Sequence, residues 1–147
     1  MELLIAHGAD LNATDSVGAT ILHYCASLFN NKAEIAEILI ALGANINAKD
    51  INGFTPLCYA VRFNCKTIAE FLILHGAEID SRDQFLQTPL HFAACKNATE
   101  LASVLISHGA DINAKEENGR GTSFICSIME SSRNGRITYF KWCKSKL

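Results

Sequence analysis

The sequence predicts a mostly α solenoid, in which helix-turn-helix units are joined by β-hairpin-like loops and stacked side by side. Three observations predict it. The phrase His7-Gly8-Ala9-Asp10-Leu11-Asn12-Ala13 returns at Leu42–Ala48, His75–Ser81 and His108–Ala114, with its glycines 35, 33 and 33 residues apart. A second phrase runs in register with the first: Thr20-Ile21-Leu22-His23, Thr55-Pro56-Leu57-Cys58 and Thr88-Pro89-Leu90-His91. Both prolines of the chain, Pro56 and Pro89, occupy one equivalent position in that phrase. A fixed period of this length marks a repeat architecture, in which each unit buries its apolar face only against its neighbours.

Local chemistry gives every unit the same shape. Thr20, Thr55 and Thr88 are good helix N-caps, and proline is tolerated just after them because its missing N–H would lack a helical partner anyway. A short first helix therefore starts at each threonine, with small residues where a neighbour must approach: Cys25-Ala26, Ala60-Val61 and Ala93-Ala94. A second helix follows, its apolar residues three and four apart: Ile35, Ile38, Leu39 and Leu42, then Ile68, Phe71 and Leu72, then Leu101, Val104 and Leu105. It ends at Gly43, Gly76 or Gly109, the residue type that best takes the left-handed C′ conformation. The chain then extends and reverses at Val17-Gly18, Asn52-Gly53 and Asn118-Gly119; Asn-Gly is a strong hairpin signal. Leu86 stands where the other loops have glycine, and is expected to strain its loop or to force a different turn.

This pattern resembles the ankyrin repeat, whose family phrase runs roughly Asp-x-x-Gly-x-Thr-Pro-Leu-His-x-Ala-Ala, then a second helix, then Gly-Ala-Asp-Val-Asn-Ala. The resemblance covers residues 1–119, read as a stack of one partial repeat (1–14), three full ones (15–49, 50–82, 83–115) and the start of a fourth (116–119). Residues 120–147 form a basic, degenerate repeat or tail. Ile21 and Cys58 replace the usual Pro and His, and two extra residues around Phe29-Asn30-Asn31 lengthen the first full repeat. Leu3, Leu4 and Ile5 belong to a second helix without its first, so fraying or self-association is expected there. The loss of both phrases after Met129 suits a frame-shifted end better than a divergent cap.

Composition narrows the function. Apolar residues make up 49% and charged residues 19%, enough to bury a core. The formal charge of −2 excludes a generally basic nucleic-acid binder, but it is uneven: residues 1–119 carry seven basic and fourteen acidic side chains, residues 120–147 six and one. The tail's mixture of Arg and Lys with Tyr139, Phe140 and Trp142 reads as a solvated end rather than a nucleic-acid or membrane contact. No apolar run approaches the eighteen or so residues of a membrane span, and Met1–Gly8 lacks a basic leader. A cytoplasmic place, or a nuclear one, is expected, with the six cysteines as reduced, packed thiols.

No chemical constellation stands out, so neither enzyme activity nor a metal, cofactor or small-molecule substrate is expected. His7, His75 and His108 are equivalent residues of successive repeats; packed helices lie about 8–10 Å apart, too far to share a zinc with ligand bonds of about 2 Å. The resemblance implies a structural imidazole at His23 and His91, bonded between a helix start and neighbouring backbone. His91 and Cys95 are i,i+4 neighbours without a third group to orient them. Asp10, Asp15, Asp50, Asp83 and Asp111 recur at turns, where a carboxylate bonds nearby amides more readily than it holds calcium.

What remains is a protein-binding module, a scaffold or adaptor with a concave groove. The resemblance places the groove's contacts on the loops at Ser16, Val17, Ala19, Ile51, Asn52, Phe54, Gln84, Phe85 and Gln87, and late in the first helices at Ser27, Leu28, Arg62, Phe63, Cys95 and Lys96. Val17, Leu28, Ile51, Phe54, Phe63 and Phe85 are apolar where the stack need not bury them. The alternatives are a targeting fragment of a larger enzyme or effector, and a truncated or frame-shifted product without activity of its own.

Overall fold

The computed structural model of the chain describes residues 10–27 and 33–117. The expectations for Leu3–Ile5, for the lengthened loop at Phe29–Asn31 and for the basic tail lie outside these residues. Two compact bodies divide the chain, Met1–Glu78 and Ile79–Leu147. In the first, α1 (Ile21–Ser27) and α2 (Ala33–Ala41) form one helix pair, and α3 (Pro56–Arg62) and α4 (Lys66–Leu74) form the next. In the second, α5 (Pro89–Cys95) pairs with α6 (Thr99–Ser107). First helix packs on first helix (α1 on α3) and second on second (α2 on α4), so the first body is a layered stack.

The expected punctuation produces these boundaries. Thr55 is extended (φ −93°, ψ 166°), and its Oγ1 accepts the Cys58 N–H at 3.4 Å. Thr88 shares its hydroxyl with the His91 ring at 2.9 Å. Each second helix closes with a paired backbone motif: the Gly43 N–H donates to the Ile40 carbonyl and the Ala44 N–H to that of Leu39, at 3.0 and 2.9 Å. The same pair of bonds recurs at Gly76-Ala77 and Gly109-Ala110, and all three glycines have φ between 92° and 96°. The first helices of the second and third full repeats use this motif too, with asparagine in the left-handed position: Asn64 and Asn97 have φ of 57° and 55°. Asparagine tolerates that region because its short amide can bond locally.

The core lies between the paired helices. In the first body Leu22, Leu39, Leu57, Ile68 and Leu72 are fully buried, and in the second Leu90, Leu101 and Leu105. Each such side chain is worth about 1.5–3 kcal/mol of burial. Ala26, Ala36, Ala60 and Ala69 have no accessible surface; their methyl-sized side chains let adjacent helices approach. The connectors add a polar ladder. Asn12 accepts the Asn45 N–H at 2.7 Å and returns an Nδ2 donor to the Gly43 carbonyl at 3.3 Å. Asn47 does the same with the Glu78 N–H and the Gly76 carbonyl, at 2.8 and 3.4 Å. Asp80 accepts the Asp111 N–H at 3.0 Å.

The reversing loops, or fingers, are tight turns rather than strands. Among the described residues no strand forms, and single backbone bonds link successive fingers: the Ile51 N–H to the Val17 carbonyl (3.1 Å) and the Glu117 N–H to that of Phe85 (3.0 Å). Gly18 and Gly53 have φ of 73° and 83°, and Leu86 keeps the same turn with φ 60°. The loop is therefore not rerouted, and the strain lies in the Leu86 backbone. Leu86→Gly should raise stability by about 0.5–1 kcal/mol, the relief of roughly 1–2 kcal/mol of left-handed strain less the extra unfolded-chain entropy of glycine. Thermal melts of the two proteins read this directly. An unchanged or lower midpoint would mean that the exposed leucine packs usefully.

Candidate functional site

Each finger is built around the carboxylate that opens its repeat. Asp50 Oδ1 accepts the N–H groups of Asn52 and Phe54, both at 2.9 Å. Asp15 does so from Val17 and Ala19, and Asp83 from Phe85 and Gln87. A tyrosine nine residues on secures the second oxygen: the Tyr59 hydroxyl donates to Asp50 Oδ2 at 3.0 Å, and Tyr24 donates to Asp15. The Tyr24 hydroxyl bond is the main reason that the Asp15 carboxyl lies below its usual range, helped by the Ala19 and Val17 amides. Burial first, then the bond to Asp50, pushes the Tyr59 phenol up to about 12, so it remains a donor at any physiological pH. In the third full repeat Phe92 takes the tyrosine's place.

On this frame the 50–63 repeat assembles a small open cleft of about 230 Å³, lined by Asp50, Asn52, Phe54, Tyr59, Arg62 and Phe63. Its walls are aromatic. Phe54 meets Tyr59 edge-on with centroids 6.5 Å apart, Phe63 lies 6.4 Å from Tyr59 at 43°, and His23 supports Tyr59 from behind at 5.0 Å. The Arg62 guanidinium lies over the Phe54 ring, 4.5 Å from its centroid. Such a cation–π contact fixes the plane of an otherwise mobile side chain.

The residues predicted from sequence to bind a partner fall into several groups. Asn52, Phe54, Arg62 and Phe63 come together in the cleft, with Ile51 at the tip of the same finger, 67% exposed, and Phe63 47% exposed. Val17 touches that finger through its backbone bond to Ile51, and Ser16 is exposed beside it. In the second body Gln84 and Phe85 are exposed on the 83–87 finger, Phe85 by 50%. Gln87 turns back to donate to Glu116 Oε2 at 2.9 Å. Cys95 and Lys96 are exposed at the end of α5. Ala19 is a correction: it is 2% exposed, so its side chain offers almost no surface to a partner. Ser27 is half-buried and spends its hydroxyl on the Tyr24 carbonyl. Leu28 lies outside the described residues. Sequence reasoning passed over Tyr59 and Asp50 as cleft residues, although the nine-residue Asp/Tyr spacing, present at 15/24 and 50/59, is a signal that could have found them.

Among the described residues, His23, His75 and His108 are held in structural hydrogen bonds. The Thr20 N–H donates to His23 Nδ1 at 3.0 Å, which places the proton on Nε2, and Nε2 donates to the Phe54 carbonyl at 2.9 Å. His75 and His108 donate from Nδ1 to the carbonyls of Phe71 and Val104, closing their helices. Burial pushes the His91 imidazole below its usual range and the Cys25 and Cys65 thiols above theirs, so these thiols stay protonated at neutral pH. Among the described residues no three His, Cys, Asp or Glu side chains are placed to hold a metal ion. No helix there is long and apolar enough to cross a membrane.

A family model described as ankyrin repeats (3 copies) matches residues 1–83 and 30–116. No curated protein matches the chain.

Proposed function

The chain belongs to the ankyrin-repeat family, and from that premise we propose that it is a scaffold or adaptor that receives a protein partner on its fingers and first-helix ends. Repeats of this family are generally protein–protein interaction modules. The observation that carries the reading is the exposure of large apolar side chains on that side: Val17, Ile51 and Phe63 in the first body, Phe85 in the second. The fold does not bury these groups, and exposed apolar and aromatic surface is where interface energy concentrates. The reading includes no catalysis. It also includes a reducing compartment, cytoplasmic or nuclear, which suits the free thiols Cys25, Cys58, Cys65 and Cys95.

The test is affinity capture with the full chain, its Phe54/Phe63/Phe85→Ala variant, and a variant carrying Glu37→Lys and Ser103→Lys on the exposed sides of second helices. Partners captured by the wild type should be retained by the second-helix variant and lost by the triple one. Each phenylalanine truncation should weaken binding to an identified partner by about 1–2 kcal/mol. Retention by the triple variant with loss by the second-helix variant would move the interface to the other side.

A further inference from the structure

Within that reading, the geometry points to the 50–63 cleft as a receptor for one uncharged aromatic side chain of the partner, carried on a segment whose neighbouring residues are apolar rather than charged. Size is the first argument. An apolar cavity of about 150 Å³ holds a benzene ring, whereas sites for whole small molecules and cofactors run from about 300 to 1,000 Å³. This cleft is about 230 Å³ and open to solvent, which fits a single ring entering from outside.

The walls supply the second argument. Phe54 comes from the finger, Tyr59 from α3 and Phe63 from the residue that caps that helix. Their rings keep centroid distances of 6.4–6.5 Å at inclined angles, within the range in which aromatic rings attract one another. Phe63, 47% exposed, is the wall that an incoming ring meets.

Charge decides against an ionic occupant. Asp50 is 7% exposed, and its two oxygens accept from two backbone amides and the Tyr59 phenol. Arg62 is engaged as well. Its guanidinium lies over the Phe54 ring, its charge acts on the Tyr59 phenol, and it has a further interaction within the structure. Both local charges are thus answered inside the repeat. A carboxylate or ammonium entering the cleft would give up its hydration with no ionic partner held ready for it. That loss is large for a charge and small for a ring.

The surroundings extend the same chemistry. Ile51, 67% exposed, stands on the same finger, and Val17, 40% exposed, is tied to it by the Ile51 N–H. A segment with its ring in the cleft meets these apolar tips beside it. The combination is particular to this repeat and not a requirement of stacking. Where it has Phe54, Arg62 and Phe63, the preceding repeat has Ala19, Ser27 and Leu28, and the following one Gln87, Cys95 and Lys96.

The experiment is amide chemical-shift titration of the full chain with the N-acetyl amides of phenylalanine, leucine, lysine and aspartate as separate probes. The phenylalanine probe should shift the amides of Phe54, Tyr59 and Phe63 saturably at millimolar concentration, and the other three should bind more weakly. Added salt should not weaken it, because no ion pair is made. Phe63→Ala should weaken it by roughly three- to tenfold, the worth of one aromatic pair, with unchanged signal dispersion elsewhere. Equal or tighter binding of the leucine, lysine or aspartate probe overturns the assignment, as does loss of affinity in salt, indifference to Phe63→Ala, or no saturable shift. Partner capture lost in the triple phenylalanine variant, without any preference of the wild type for the phenylalanine probe, would sink this assignment and leave the module reading intact. Capture that ignores all the finger residues would sink the module reading, whatever the probes do.

Discussion

Asp50→Ala should destabilise the first body by about 3 kcal/mol and loosen the finger that carries Ile51. The substitution removes the acceptor of three hydrogen bonds at once, from the Asn52 and Phe54 amides and the Tyr59 hydroxyl. Bonds to a charged group are worth about 1.5–3 kcal/mol each, discounted here because water can reach part of the opened finger. What remains is the turn's own backbone pair, Gly53 N–H to Asp50 C=O (2.9 Å) and Asp50 N–H to Phe54 C=O (3.0 Å). Asp50→Asn, which keeps a neutral acceptor, should lose about half as much. Urea unfolding gives the total. Faster hydrogen exchange at Asn52 and Phe54 locates it, which matters where two bodies do not unfold as one. A loss below about 1 kcal/mol would show that the backbone turn holds the finger unaided.

His23→Ala should cost a similar amount, about 2–4 kcal/mol, by a different route. The imidazole has no accessible surface and spans two repeats, accepting from Thr20 and donating to the Phe54 carbonyl. Its loss leaves a cavity behind Tyr59, whose ring it touches edge-on, and strands both backbone groups. His91→Ala is the internal comparison. That ring caps its helix through Thr88, but its buried Nε2 has no hydrogen-bond partner, so one bond fewer is lost and the drop should be smaller. Equal losses in the two variants would mean that helix capping, rather than the bridge to Phe54, accounts for the effect.

Much of this was legible in the chain because repetition turns weak local signals into strong ones. A single Thr or Gly says little, but Thr20, Thr55 and Thr88 at one period define where three helices start, and Gly43, Gly76 and Gly109 where three end. The turn role of Asp15, Asp50 and Asp83 followed from the same logic. Asn64 and Asn97 were not read as helix closers, because asparagine is ordinary in loops and only the backbone reveals its positive φ. The burial of Ala19 was missed because a place in the repeat phrase does not fix how deeply a small side chain sits. The cleft depends on how Arg62 lies across Phe54, a rotamer choice fixed by three-dimensional neighbours rather than by residue type.

The connector ladder also sets where salt can act. Asn12 and Asn47 each bind the next connector in both directions, taking an amide hydrogen and returning one to the glycine carbonyl that ends the neighbouring helix. Asp80 has no hydrogen to return, so its hold on Asp111 runs one way, and the carbonyl of Gly109 receives nothing from it. In a linear array whose stability is a sum of nearest-neighbour terms, the rungs then differ in kind: two neutral bonds at each asparagine, and one amide held by a charged acceptor at Asp80. Salt and substitution should therefore act unequally on the connectors, since only the Asp80–Asp111 rung depends on a formal charge.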